Sequence, residues 1–362
     1  MAHATADGTQ RFRGRLSAQT DATYFRQADG VWLSSIGLGT YLGEPDDETS
    51  ARYAQAITRA LQLGCNVIDT AINYRFQRSE RAIGHALQQA GVARDEVFVS
   101  TKGGYVPYDG DFPTDPARYI AETFIETGIA RAEDFAQGGQ HCMTPHFLAH
   151  QLAQSRANLQ LDTIDLYYLH NPEGQLGEVS RAQFMARLRA AFEFLEQAVA
   201  DGHIRRYGLA TWNGFRQLPS ARDYLSLADV VALAREVAGD AHHMRAIQLP
   251  INLAMMEALE NKNQPVNGQW LSVMDAAREL GMMVFASASL LQARLSRNLP
   301  SAVRKSLGAD LSDAQRALQF TRSLPNVTCA LVGMSSAQHV AENLQVAQRP
   351  RMTDAELKQV LG

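Results

Sequence analysis

Short apolar runs recur along this chain at intervals that each leave room for one amphipathic helix. The runs fall at residues 34–40, 66–71, 97–102, 163–170, 204–211, 246–252, 282–287 and 328–333. Between them, stretches such as DETSARYAQAITRALQLG, SERAIGHALQQAG, PHFLAHQLAQSRANLQL and RLRAAFEFLEQAVADG carry apolar positions at helical spacing. Gly64, Gly91, Gly202 and Gly281 stand where four of these helices end, at positions that favour a positive φ. Eight strands alternating with helices predict parallel pairing, because each return to the same sheet edge needs a crossover. Eight such units most often close into a (β/α)8 TIM barrel, which makes the fold class α/β. A doubly wound sheet is the rival. Its first turn would carry G-x-G-x-x-G for a dinucleotide, whereas the glycines here are Gly37, Gly39 and Gly43.

Two segments break the rhythm. Residues 1–33 read as a polar tail leading into an N-terminal β-hairpin around ATYFRQADGVWLSSIG, with ADG as the turn. Residues 103–144 form a long insertion after the third strand, with DPARYIAETFIETG in its middle patterned for a helix of its own. Connections of that length in a compact domain are usually functional or a subdomain. In a barrel this one falls on the C-terminal, active-site face, so it reads equally as a lid or pocket wall and as ordered decoration. The whole chain, 1–362, is expected to form one barrel domain.

Composition removes several function classes. The chain has 362 residues, 46% hydrophobic and 20% charged, enough for a large buried core. A net charge of −4 and a pI near 6.2 leave no electrostatic footprint for nucleic acid, and no Lys/Arg cluster suits anionic lipid. No apolar run reaches the roughly 18 residues a membrane-crossing helix needs, and the N-terminus lacks a secretory h-region. Three scattered cysteines (Cys65, Cys142 and Cys329) read as reduced thiols of a cytoplasmic protein.

Chemistry gathers at strand ends. Asp69 and Tyr74 follow the second strand, Lys102 ends the third and His170 ends the fourth. Singly, each reads as a cap, an ion-pair partner or a core residue. Together they occupy one rim of the barrel on consecutive strands. An ordinary phenol, with a pKa near 10, is a poor acid at neutral pH. A lysine beside it would stabilise the phenolate, an aspartate would hold the lysine, and a histidine could orient a carbonyl. Such a site protonates C=O while hydride comes from elsewhere, which implies a nicotinamide cofactor. HCMTPHFLAH (141–150) offers His141, Cys142, His146 and His150, yet its spacing matches no closed zinc set, and Thr144-Pro145 reads as a helix start. His242 and His243 read as solvated.

On DTAINY (69–74), STK (100–102), IDLYYLH (164–170), DGHIRRYGLATWN (201–213), QLPIN (248–252) and ALVGMSSAQHVAEN (330–343), the sequence resembles the aldo-keto reductase superfamily. The motifs fall in order along nearly the whole chain. The resemblance implies a catalytic tetrad of Asp69, Tyr74, Lys102 and His170, with Tyr74 as general acid in reduction and general base in oxidation. It implies that Gln248 holds the nicotinamide carboxamide together with a Ser-Asn pair, which aligns here with Ala210 and Thr211. The family's stacking aromatic aligns with Ser287, and its pyrophosphate segment with Ser289 to Arg294, including Leu290. Phosphate and adenine contacts fall on Gly333, Ser335, Ser336, His339, Glu342 and Asn343. NADP(H) is the favoured cofactor, with NAD(H) open. The implied substrate is a small aldehyde or ketone, or the corresponding alcohol, with Tyr41, Tyr105, Tyr108 and Trp212 available around it. The departures at 210 and 287 keep two alternatives open: a redox-sensing protein of low turnover, and an enzyme running net non-redox chemistry on a retained nicotinamide.

Overall fold

The computed structural model describes residues 2–308 and 310–361. Eight parallel strands close into a barrel: β1 (Ile36–Gly39), β2 (Val67–Asp69), β3 (Phe98–Gly103), β4 (Leu166–His170), β5 (Tyr207–Ala210), β6 (Met244–Pro250), β7 (Met283–Ser287) and β8 (Val327–Gly333). Each strand pairs with the next in sequence, and β8 returns to β1 with Ala330 opposite Ile36 and Gly333 opposite Gly39. A helix of the outer ring follows each strand, with shorter helices inserted at some connections: α1 (Asp47–Gln62), α2 (Arg78–Gln89), α3 (Pro145–Leu159), α4 (Arg181–Ala200), α5 (Leu227–Ala238), α6 (Val273–Glu279), α7 (Asp313–Ser323) and α8 (Ala337–Asn343). Helices on the outside bury the strands on both faces, which is why the strands read as continuous apolar runs.

Local sequence starts and stops these helices. Asp46 caps α1, and Ser180, Ser226, Ser272, Ser312 and Ser336 cap α4 to α8, each side chain accepting a backbone N–H of the first turn. Gly64, Gly91, Gly202 and Gly281 have φ of +97°, +64°, +76° and +68°, as their helix-ending positions required.

The predicted hairpin is present, with Phe25–Ala28 antiparallel to Val31–Ser34 across an Asp29-Gly30 turn. Its Val31 and Leu33 pack with Phe98, Tyr168, Phe285 and other barrel residues in one buried cluster. The residues before it depart from the expected polar tail: Ala6–Leu16 is a helix, capped by Thr5. It has only a narrow apolar stripe, in which Phe12 and Leu16 are buried, so its hydrophobic period is weak in the sequence. Contacts from afar hold it, with Arg15 donating to both Glu96 oxygens and Arg11 to Asp95 and Glu96. His242 also departs from expectation. It is buried at 3% exposure, whereas His243 pairs with Glu196 at 2.7 Å.

The insertion after β3 has a small core of its own, in which Val106, Tyr108, Ile120 and Phe124 pack with Cys142 and with Phe147 of α3. Its middle forms one short helix, Pro116–Ile120, running into a wider turn at Ala121–Ile125. The closing arm comes back antiparallel to its start, with Tyr105 bridged to His141.

Candidate active site

At the C-terminal rim, the ends of β2, β3 and β4 bring four polar side chains together. Asp69 ends β2 and accepts from Lys102 Nζ at 2.6 Å on Oδ2. Its Oδ1 accepts from Ser100 Oγ at 2.7 Å and from Gln248 Nε2 at 2.9 Å, so β3 and β6 both fix the carboxylate. Lys102 also donates to Thr70 O at 2.6 Å and sits 5.0 Å from the centre of the Tyr74 ring. Across from it, the His170 ring stands edge-on to Tyr74 with centroids 5.7 Å apart.

Tyr74 is held by a strained turn. The three residues after it, Arg75, Phe76 and Gln77, have φ of +49°, +54° and +70°, a left-handed run that costs roughly 1–2 kcal/mol per residue. Side-chain tethers offset that cost. Arg75 donates to Glu44 O, Asp46 O and Ser50 Oγ. Gln77 reaches Pro107 O and Tyr108 O on the insertion and accepts from Asn158 of α3. Phe76 packs edge-on to Tyr108. No run of turn residues in RFQR announces this geometry, so only the assembled contacts reveal it.

Burial sets the protonation states. It pushes the Tyr74 phenol well above its ordinary value, helped by the negative Asp69 and the neighbouring phenols Tyr41 and Tyr105. This reverses the expected downward shift from Lys102. The lysine charge is already committed to Asp69 and Thr70 O, and burial lowers Lys102 itself despite Asp69. His170 is held well below its usual value by burial, with the Lys102 charge adding to it. The site therefore presents a neutral phenol and a neutral imidazole.

A cavity of about 400 Å³ opens on these groups. Asp69, Tyr74 and His170 line it, together with Tyr41, Asn73, Tyr105, Asn171 and Trp212. Lys102 stands behind Asp69 rather than on the wall. Of the expected cofactor residues, Thr211, Gln248, Ser287, Ser289, Leu290 and Gly333 line the same cavity, whereas Arg294, Ser335, Ser336, His339, Glu342 and Asn343 do not. The Ser336 side chain caps α8, and Asn343 is buried. Tyr108 also lies elsewhere, in the insertion core with its hydroxyl on Gln140.

The residues at the β5–β8 end fit a planar amide-bearing group. Thr211 Oγ1 is buried in the cavity wall with no hydrogen-bond partner, a polar atom that a ligand amide could satisfy. Gly39, Ala210, Ala288, Ala293 and Gly333 leave the wall around it shallow. Among the described residues, no three His, Cys, Asp or Glu side chains form a group that could hold a metal ion.

Sequence reasoning missed several supports. Glu173, just past β4, is buried, and its Oε1 accepts from three successive amides, Trp212, Asn213 and Gly214, at 2.7, 3.0 and 3.3 Å. A carboxylate in a backbone nest thereby ties the loop after β4 to the one carrying Thr211. NPEG carries no motif for this, since the amides it binds lie some 40 residues on. His141, weighed only as a metal ligand, lies fully buried with Nε2 at 2.8 Å from His170 O.

A family model described as the Aldo/keto reductase family matches residues 35–237. The uncharacterized oxidoreductase YqkF of Bacillus subtilis is 22% identical over 343 residues, covering 90% of this chain and 91% of that protein. A D-threo-aldose 1-dehydrogenase of a Pseudomonas species is 28% identical, over 51% of this chain and 52% of its own length. Among solved structures, an aldo/keto reductase of Klebsiella pneumoniae in complex with NADP and acetate superimposes with a TM-score of 0.63 at 21% identity, covering 93% of this chain and 94% of that one. That likeness carries the barrel fold. No helix among the described residues is long and apolar enough to cross a membrane.

Proposed function

The chain belongs to the aldo/keto reductase family, and on that premise we propose that this oxidoreductase uses NADP(H) to reduce a small aldehyde or ketone, or to oxidise the matching alcohol. The observation that carries the reading is the Tyr74 phenol, kept neutral in one cavity with His170 and backed by a Lys102–Asp69 pair at 2.6 Å. A bound nicotinamide supplies or accepts the hydride. Thr211, Gln248, Ser287, Ser289, Leu290 and Gly333 would hold it, with Arg294, Ser335, Ser336, His339, Glu342 and Asn343 towards its adenosine half. The NADP in the Klebsiella neighbour supports that choice, with NADH the second candidate.

The residues of the chain divide the remaining work. His170, neutral, donates a hydrogen bond to the substrate oxygen and aims the carbonyl. Tyr74 delivers its proton to that oxygen as negative charge develops, and the nearby Lys102 ammonium stabilises the phenolate left behind. Asp69 keeps Lys102 charged and in place. Tyr41, Tyr105 and Trp212 exclude water around the substrate. The chain acts as one barrel domain, with residues 2–33 closing its base and the 103–144 insertion supplying part of the pocket wall through Tyr105.

The test is NADPH and NADH oxidation by purified protein, followed by absorbance across a panel of aldehydes and ketones, beside Tyr74→Phe. Loss of the proton donor should lower kcat on the order of 10²–10⁴-fold. Equally slow cofactor consumption by both proteins would sink the reading.

A further inference from the structure

We propose that His141 is a positioning residue for His170: the closing arm of the insertion reaches under the end of β4 and fixes the carbonyl of the residue whose ring aims the substrate. The proposal rests on the catalytic reading of His170 given above.

A chain of hydrogen bonds assigns its own protons. Arg187, on α4, has only donors, and its Nη1 lies 2.9 Å from Gln175 Oε1. That fixes the Gln175 amide with its NH2 facing the other way, 2.9 Å from His141 Nδ1. Nδ1 must then accept, so the imidazole proton sits on Nε2 and is donated to His170 O at 2.8 Å. A carbonyl can only accept, so both ends of the chain demand the same tautomer. Burial lowers His141 to about 4, which keeps the ring neutral and that tautomer in place at neutral pH.

The surroundings leave the ring little freedom. Arg187 also donates to Glu133 O and Asp134 O, tying the same guanidinium to the insertion. Tyr105 stands edge-on to both imidazoles, with centroids 5.2 Å from His141 and 5.0 Å from His170. Gly104 has φ +129°, and any side chain there would run into the His141 ring. The first two residues after β3 are thus shaped around a histidine that arrives almost forty residues later. An apolar ring at 141 would keep the packing yet strand both the His170 carbonyl and the Gln175 amide.

Two substitutions separate positioning from packing. His141→Phe keeps the bulk and removes both hydrogen bonds, while His141→Gln offers one donor and one acceptor again. We expect kcat with the best carbonyl to fall about tenfold or more in His141→Phe, since small misplacements of a reacting geometry are that costly. NADPH affinity, read by fluorescence, should stay unchanged, and His141→Gln should recover most of kcat. Phe124→Leu, in the insertion core, should lower the melting temperature without touching kcat. A folded His141→Phe with wild-type kcat, or a glutamine variant no better than phenylalanine, overturns the proposal.

A second measurement needs no turnover. Long-range ¹H–¹⁵N imidazole spectra of the wild type should place the His141 proton on Nε2 from about pH 8 to about pH 5. A proton on Nδ1, or ordinary titration in that window, would also refute it. A wild type that reduces no carbonyl fails the proposed function and leaves these spectra to decide the His141 link.

Discussion

The β2–β4 side of the rim and the β5–β8 side are built differently. On the first, the charged pair behind the phenol is fully engaged: Asp69 takes three hydrogen bonds from β3 and β6, Tyr74 rides on a tethered left-handed turn, and His170 Nδ1 and Asn73 Oδ1 are left without partners. On the second, Thr211 Oγ1 has no partner, Ser287 lines the cavity where the resemblance puts a stacking aromatic, and the loop after β7 holds Ala288, Leu291, Gln292 and Ala293 at positive φ. The half that moves a proton is organised before anything binds. The half that would hold the cofactor is left for a ligand to complete.

Substituting at each end should break the comparison in opposite ways. Lys102→Met leaves a nearly fully buried Asp69 without its cation. Turnover should fall by about 10²–10⁴-fold, and urea unfolding should show a loss of about 3–5 kcal/mol. Adding Asp69→Asn should return much of the stability and none of the turnover. If the single substitution is harmless to both, the first half is not preorganised as described.

Acid should act next most strongly, again on the first half. The folded pKa of His141 lies near 4, below the ordinary 6.5, so between those values the unfolded chain binds more protons. Its contribution is present above pH 6.5 and lost as pH falls towards 4, on the order of 3 kcal/mol in all. His170 is lowered too and adds in the same direction. Urea midpoints between these pH values should fall in the wild type and fall less in His141→Gln; a flat profile would contradict the burial argument.

The other half should answer with binding alone. Thr211→Val keeps the shape and removes the hydroxyl, and NADPH affinity should weaken by roughly 2–10-fold with stability and kcat unchanged. Ser287→Tyr should give the smallest effect, a gain in cofactor affinity of about twofold to fivefold through ring contact. A change in kcat larger than the change in affinity in either variant would mean the two halves are not separable.

Much of this was legible in the chain. The four rim residues could be named because positions at and just past strand ends are local facts: Asp69, Lys102 and His170 stand at the ends of β2, β3 and β4, and Tyr74 five residues past β2. The N-terminal helix was not legible, because its stripe rests on Phe12 and Leu16 and its polar face is anchored by Asp95 and Glu96, far along the chain. Nor was the difference between Tyr105, which lines the cavity, and Tyr108, three residues on, which does not. Which ring faces the cavity depends on how the insertion folds back on itself.

By itself the sequence determined the alternation of strands and helices, most helix ends and the order of the polar groups around the rim. Periodicity, capping and turn chemistry act over a few residues, so the chain displays them directly. Only the tertiary structure decided the sign of the Tyr74 shift, the left-handed turn behind it and the use of Glu173 and His141. Those depend on desolvation and on contacts between segments that closing the barrel brings together, and no local pattern records them.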